Sequence, residues 1–240
     1  MTNLPEANFS YVGSELELFA AVHNWKAYWS SHIRPFVGQE ILEVGAGIGS
    51  NTPFLDASGQ GRWLCLEPDP QLLRQLADDL GKRSRALPYE TICGTLATLD
   101  AMRRFDTIIY IDVLEHIKDD RAELERAAAH LNSGGHVIVL APAHRWLFTP
   151  FDQAVGHFRR YNRSMLRDIS PSTLEIEQLH YLDSIGLAAS IANRLFLRQS
   201  MPTKEQLRMW DSWMVPLSRV VDKLLRYSIG KSIVAIWRKP

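Results

Sequence analysis

The sequence predicts a doubly wound α/β fold built on a mostly parallel sheet, and three observations carry that expectation. Short apolar runs at 41–44, 63–66, 105–111 and 137–140 alternate with stretches of helical periodicity. The first run passes directly into Gly45-Ala46-Gly47-Ile48-Gly49, a turn with glycine at alternate positions that leaves peptide N–H groups open to a ligand. Residues with chemistry to offer, namely Glu67, Gly94-Thr95 and the segment from Asp112 to His116, stand where the runs end. In an open parallel sheet those carboxyl ends line one crevice, which is where ligands bind.

Each element has its own local reason. From 15 to 33, Leu18, Val22, Trp25, Trp29 and Ile33 recur at helical spacing until Pro35 closes the pattern. One helix is expected there, most of its apolar stripe packed on the sheet edge, the alternative being that Tyr11, Asn24 or Trp25 covers the glycine turn. After the turn, Ser50 or Asn51 caps a short helix whose first turn tolerates Pro53, and Ser58-Gly59-Gln60-Gly61 ends it. The second strand stops at Glu67-Pro68-Asp69. A helix over 71–80 ends at Gly81, and a third strand over 90–93 ends at Gly94.

Beyond the fourth strand, Ile117, Leu124, Ala128 and Leu131 mark a helix face, Asp119 and Asp120 suit its positive end, and Gly134-Gly135 is the expected stop. The polar, aromatic stretch 144–161 is too long for a simple connection. A helix is expected from Ser164, a strand over 174–182, a helix over 184–197, an insertion over 199–228 and a last strand over 232–237. The organisation is one domain over 1–240: a helical lid at 1–36, a core from 37–198 and 229–240, and a cap at 199–228.

Composition narrows the function classes. With 240 residues and 46% apolar side chains the chain supports a sizeable core. Twenty-seven basic residues balance twenty-seven acidic ones, so no whole-molecule field draws the chain to nucleic acid or to anionic lipid, and any such attraction must be local. Cys65 and Cys93 in apolar surroundings read as core filler of a reducing compartment. A start without a leader pattern and the lack of about 18 uninterrupted apolar residues complete the expectation of a cytoplasmic protein with no transmembrane segment. The eight histidines are dispersed and the cysteines lack ligand-like spacing, so no metal site is expected.

Glu67 stands about 20 residues past the turn, where a carboxylate accepts hydrogen bonds from both ribose hydroxyls. Glu43-Val44-Gly45-Ala46-Gly47-Ile48-Gly49, Leu64-Cys65-Leu66-Glu67-Pro68-Asp69, Phe105-Asp106 leading to Asp112-Val113-Leu114-Glu115-His116, and Leu131-Asn132-Ser133-Gly134-Gly135-His136-Val137 occur in that order. With these four motifs the chain resembles the Rossmann-like class I S-adenosylmethionine-dependent methyltransferases of the small-molecule type related to quinone methyltransferases. The resemblance implies a seven-stranded sheet whose last strand is antiparallel and inserted beside the fifth, with a helical insertion before it. It also implies S-adenosylmethionine as cofactor. Glu43, Gly45, Ala46, Gly47, Gly49 and Asn51 would hold its methionine part, Glu67 and Pro68 its ribose side, and Gly94, Thr95 and Leu96 its adenine. Asp112 and Val113 would lie near the sulfonium, under cover of Tyr11 and Trp25. Thr95 and Leu96 depart from the acidic residue the family often has there.

Methyl transfer from a sulfonium needs orientation above all, and a base when the acceptor is a hydroxyl or an ammonium. His116, His144 and His157 are the candidates, because imidazole titrates near neutrality. In His157-Phe158-Arg159-Arg160-Tyr161 the two arginines and the tyrosine can clamp an anionic or aromatic small-molecule acceptor. The insertion carries Leu207, Trp210, Trp213, Leu217, Val220 and Leu224 beside Arg208, Arg219, Lys223 and Arg226. Packing as a cap, a homodimer contact and peripheral membrane contact stay open for it. Two other functions compete with the enzyme: a non-catalytic S-adenosylmethionine-binding partner protein, and an NAD-dependent oxidoreductase. The second is disfavoured because Ser50 stands where the dinucleotide fingerprint wants its last glycine.

Overall fold

A computed structural model describes residues 11, 15–56, 59, 61–82, 89–194 and 203–240. In chain order they form α1 (Glu15–Ala20), α2 (His23–Ile33), β1 (Glu40–Val44), α3 (Thr52–Leu55), β2 (Arg62–Glu67), α4 (Pro70–Gly81), β3 (Glu90–Cys93) and β4 (Phe105–Ile111). There follow α5 (Asp120–His130), β5 (Leu131–Pro142), α6 (Pro150–Ala154), α7 (Arg163–Asp168), β6 (Glu175–Leu182), α8 (Ser184–Ala192), α9 (Lys204–Met209), α10 (Val215–Leu224) and β7 (Ser232–Arg238). The predicted turn at 58–61 and the end of the 184–197 helix fall partly outside the described residues.

The strands make one seven-stranded sheet in the order β3-β2-β1-β4-β5-β7-β6. Pairing is parallel from β3 to β5, and β7 runs antiparallel to both β5 and β6 through Val139↔Ala235 and Leu179↔Ala235. This is the arrangement the resemblance implies. Alternation along each strand sends Leu42, Leu64, Ile108, Val137 and Ala235 into a core with Leu124, Ala128 and Leu166 of α5 and α7. Their neighbours Ile41, Trp63, Cys65, Ile109, Ile138 and Ile236 face the opposite way, toward Trp29 and Ile33 of α2, Leu76 of α4 and Trp210. Cys65 is core filler as expected, whereas Cys93, the last residue of β3, is exposed and donates weakly to the Pro68 carbonyl.

The single N-terminal helix expected over 15–33 is two helices broken at Val22, whose backbone is non-helical at φ −86° and ψ 83°. The break frees the first amides of α2, and no side chain of its own caps them. Asp211 does so from across the chain, accepting from Asn24 N at 3.2 Å and Trp25 N at 2.8 Å. Helix α5 likewise ends earlier than Gly134-Gly135, at His130. Those glycines are absorbed into the sheet, where Gly134 N donates to Lys239 O at 2.8 Å and Lys239 N to Gly135 O at 2.9 Å.

The insertion folds as α9, a wide turn at Trp210–Met214, and α10. Buried acids fasten it. Asp222 accepts from Tyr28 Oη (2.8 Å), Asp183 N (2.7 Å) and Ser184 N (2.9 Å). Asp183 accepts from Trp210 Nε1 (2.8 Å) and Ser218 Oγ (2.7 Å).

Candidate active site

The glycine turn leaves β1 with all three glycines in the left-handed region, at φ 63° for Gly45, 57° for Gly47 and 73° for Gly49. Gly45 is also sterically obliged, because a Cβ there would fall 2.7 Å from Cγ2 of Val113. The amides of Gly45 and Ala46 donate to Leu66 O at 2.7 and 3.2 Å, which fastens the turn to the end of β2. Gly47 N donates to Glu67 Oε2 at 2.8 Å, and Asp69 N donates to Oε1 at 2.9 Å. Burial raises the Glu67 carboxyl above its ordinary range, and these two amides oppose that rise. Asp69 caps α4 and accepts from Tyr11 N at 2.7 Å, while the Tyr11 ring lies 5.9 Å from that of His116. Tyr11 thus spans the cleft from the Glu67 side to the β4 side, as a cover would. Leu16 of α1 also rests over the turn, 3.7 Å from where a Gly47 Cβ would stand.

Beneath the turn, Glu43 is buried and accepts from Trp63 Nε1 at 3.1 Å, and burial pushes its carboxyl up to about 7. Lys26 donates to Ser50 O at 3.1 Å just after the last glycine, and burial lowers its ammonium to about 8. Sequence reasoning missed Lys26, which lies off the apolar stripe of α2. Asn51 is half-buried at the start of α3. Gly94 N donates to Glu67 O at 3.0 Å, and Thr95 is exposed beside it. Leu96 is corrected as an adenine-facing side chain: it is buried in the core with Leu66, so only its backbone is available there.

The second pole forms where β4 ends. Asp112 has φ 53° and donates its amide to Leu140 O at 2.9 Å. Its side chain is open to solvent yet ringed by protein, as on a cleft floor, and that desolvation pushes its carboxyl up to about 6 against the pull of His157, Lys231 and Arg160. Glu115 is fully buried, and neither of its oxygens has a hydrogen-bond partner among the described residues. Burial and the neighbouring Asp112 hold its carboxyl well above the usual range. His116 packs edge-on against His157 at 4.5 Å between centroids, and burial lowers it to about 4.

His157 comes from the long stretch after β5. Its Nδ1 is 2.9 Å from Asp152 Oδ1, and its Nε2 is 3.9 Å from Glu115 Oε1. Asp152 is buried, which alone would raise its carboxyl. Hydrogen bonds from His157 and Arg160 outweigh that and hold it below the usual carboxylate range. An ionised Asp152 accepts the proton of Nδ1, so Nε2 is the basic atom of the ring. Thr149 reaches Asp152 with N and Oγ1 at 2.8 and 2.9 Å, a capping box at the start of α6. That Thr149-Pro150-Phe151-Asp152 pattern was the signal from which Asp152 could have been found.

Five expected site residues are corrected. Arg160 does not present an anion clamp: Nε and Nη2 bind Asp152 at 2.7 and 2.9 Å in a buried pair. Tyr161 is also buried, donating to Asp120 Oδ2 at 2.8 Å. Arg159, which shares Asp120, donates to the carbonyls of Ile117 and Lys118. His144 is at φ 66°, its Nε2 2.9 Å from Gly230 O and its ring stacked on Tyr181 at 4.9 Å, a structural role. Trp25 does not cover the turn; it is buried against Tyr28 and Trp210, 6.1 and 5.6 Å between centroids. Glu115, His116 and His157 bring their potential ligand atoms within 4.8 Å of one another, a proximity that the dispersal of histidines in the sequence did not show.

Comparison with known proteins agrees with this geometry. Residues 42–137 match the family model described as a methyltransferase domain. The chain is 28% identical over 110 residues to the ubiquinone biosynthesis O-methyltransferase of Rhodopseudomonas palustris (strain HaA2), 45% of this chain and 42% of that protein. It is 27% identical over 144 residues to the demethylmenaquinone methyltransferase of Tropheryma whipplei (strain Twist), 60% of this chain and 56% of that one. The chain thus spans about half or less of the length of these relatives. Among solved structures, the phosphoethanolamine N-methyltransferase 2 of Haemonchus contortus with S-adenosyl-L-methionine superposes at TM-score 0.63 and 14% identity, covering 99% of this chain and 61% of that one. A coclaurine N-methyltransferase superposes at 0.60 and 12% identity, covering 89% and 71%. The sheet order and the methyltransferase-domain match over residues 42–137 together support a class I S-adenosylmethionine-dependent methyltransferase.

Proposed function

We propose that the chain transfers a methyl group from S-adenosylmethionine to an oxygen or nitrogen atom of a small acceptor, an anionic or aromatic metabolite with an ionisable hydroxyl as the favoured case. The observation that carries this reading is the Asp152–His157 pair, whose Nε2 lies 3.9 Å from Glu115 Oε1 just past the end of β4. The residues fit the cofactor: three left-handed glycines, and a Glu67 carboxylate whose two oxygens each accept one amide and keep lone pairs for a ribose. Gly45 to Gly49 would hold the methionine part, Glu67 and Pro68 the ribose side, Gly94 and Thr95 the adenine, and Asp112 and Val113 the sulfonium end. When bound, the cofactor supplies an electrophilic methyl group on a positively charged sulfur.

His157 then does the work of a base. An acceptor hydroxyl seated against Nε2 gives up its proton there, while Nδ1–H stays hydrogen-bonded to Asp152, whose carboxylate is shared with Arg160. Glu115 and His116, each held toward its neutral form by burial, stand beside His157 and lower the local dielectric, which strengthens the interaction. Trp146 and Phe158, large exposed aromatics on the same stretch, suit a flat ring. The two relatives are named for ubiquinone biosynthesis and demethylmenaquinone, which supports an aromatic acceptor.

The test is transfer of labelled methyl to a panel of phenols and amines, with S-adenosylhomocysteine binding measured by calorimetry. Transfer to phenols that falls about 100-fold or more in His157→Gln at unchanged cofactor affinity supports the reading. Binding without transfer to any member would favour a cofactor-binding partner protein instead.

A further inference from the structure

Helix α10 wears its polarity reversed. The side it turns to the protein is Val215, Ser218 and Asp222, two of the three polar and hydrogen-bonded. The side it turns outward, with the end of the preceding turn, is Trp213, Leu217, Val220 and Leu224, exposed to 78, 51, 58 and 77%. At about 100° per residue these four lie within an arc of about 60°. Leu225 and Ile229, also exposed, extend the apolar face past the helix end. Scattered exposed leucines are ordinary, but a contiguous apolar stripe crowned by a tryptophan calls for a covering phase.

The charges of the segment indicate which phase. Lys223 and Arg226 are exposed at the C-terminal end of the stripe, and over the whole segment Lys204 and Arg208 are also exposed, against one exposed acid, Glu205. Asp211 and Asp222, which make the segment look mixed in sequence, are buried and fully engaged inside. The solvent-facing surface of the segment is therefore cationic although the whole chain is neutral. An anionic lipid surface meets both features at once: apolar side chains enter the acyl boundary, Trp213 sits at the headgroup level, and the lysines and arginines reach phosphate.

We propose that the outward face of residues 213–229 docks the protein on anionic membrane surfaces. The experiment is co-sedimentation of the full chain with phosphatidylcholine vesicles, alone or mixed with phosphatidylglycerol. Expected are pelleting with the mixed vesicles that weakens as salt rises, a loss of about tenfold or more in Trp213→Ser/Leu224→Ser, and loss of the phosphatidylglycerol preference in Lys223→Glu/Arg226→Glu. These side chains make no internal anchor, so melting temperature and S-adenosylhomocysteine affinity stay unchanged in both variants. Pelleting that ignores phosphatidylglycerol, or that survives Trp213→Ser/Leu224→Ser, overturns the proposal. A dimer in light scattering that this double variant dissolves, without vesicle binding, assigns the face to a second copy and overturns it too.

Discussion

The Gly47 amide donates to Glu67 Oε2 at 2.8 Å, so the turn and the acid that ends β2 are one unit although 20 residues separate them. Glu67→Gln puts an amide group where two backbone donors converge, and one of them loses its acceptor. S-adenosylhomocysteine affinity by calorimetry is expected to fall about 10- to 100-fold, corresponding to about 1.4–2.8 kcal/mol. Unchanged affinity would remove Glu67 from the cofactor site.

Gly45→Ala combines a left-handed backbone at φ 63° with a Cβ 2.7 Å from Val113. A loss of about 1–3 kcal/mol in urea unfolding is expected. Adding Val113→Ala should recover the steric part and leave the conformational part, so a double variant no better than Gly45→Ala alone would show that the contact with Val113 costs nothing.

Asp152→Asn removes the charge that fixes the His157 tautomer. Methyl transfer should drop about 100-fold or more while cofactor affinity holds, and His157→Gln should match it. Because the Asp152 carboxyl is held below its ordinary range, it stabilises the fold above that range, and the contribution is lost on acidification. Wild type should therefore lose more stability than Asp152→Asn between neutral pH and about pH 3.

Glu43 works in the opposite direction. Its carboxyl is pushed up to about 7, so its neutral form suits the fold and stability declines as pH rises through that value. Glu43→Gln should gain on wild type in melting temperature between about pH 5 and pH 8. A constant difference between the variants across that range would mean that Glu43 ionises without cost.

Asp222→Asn withdraws a carboxylate that binds Tyr28, Asp183 and Ser184 together. A destabilisation of about 2–4 kcal/mol is expected, with the loss shared by α2, α8 and α10. Selective fraying of α10 in hydrogen exchange, with α2 untouched, would show that the three are not coupled through this side chain.

What was legible in the sequence was what is local. Apolar runs located the strands, glycine spacing located the turn, and the distance to Glu67 located its partner, because each signal lies within one strand–turn unit. Arg160, Tyr161 and Trp25 misled for the converse reason. The pattern displays a side chain but hides its partner, and Arg160 is consumed by Asp152, Tyr161 by Asp120, and Trp25 by a pocket completed at Trp210. The break at Val22 could not be read either, since Asp211, the cap that stabilises it, lies 186 residues beyond Trp25. The outward stripe of α10 was invisible because periodicity shows that a helix has two faces and not which one turns inward.

The ties between α2 and the insertion bear on how the chain matures. Asp211 holds Asn24 and Trp25, and Asp222 holds Tyr28, at separations up to 194 residues. On a ribosome the sheet from β1 to β5 can assemble early, but the tryptophan-rich face of α2 has no roof until residues 203–224 emerge. A nascent chain stalled before them would show chaperones an open apolar floor beside a finished glycine turn. Residues 42–137, the stretch that matches the methyltransferase model, thus contain neither α2 nor the acids that fasten it.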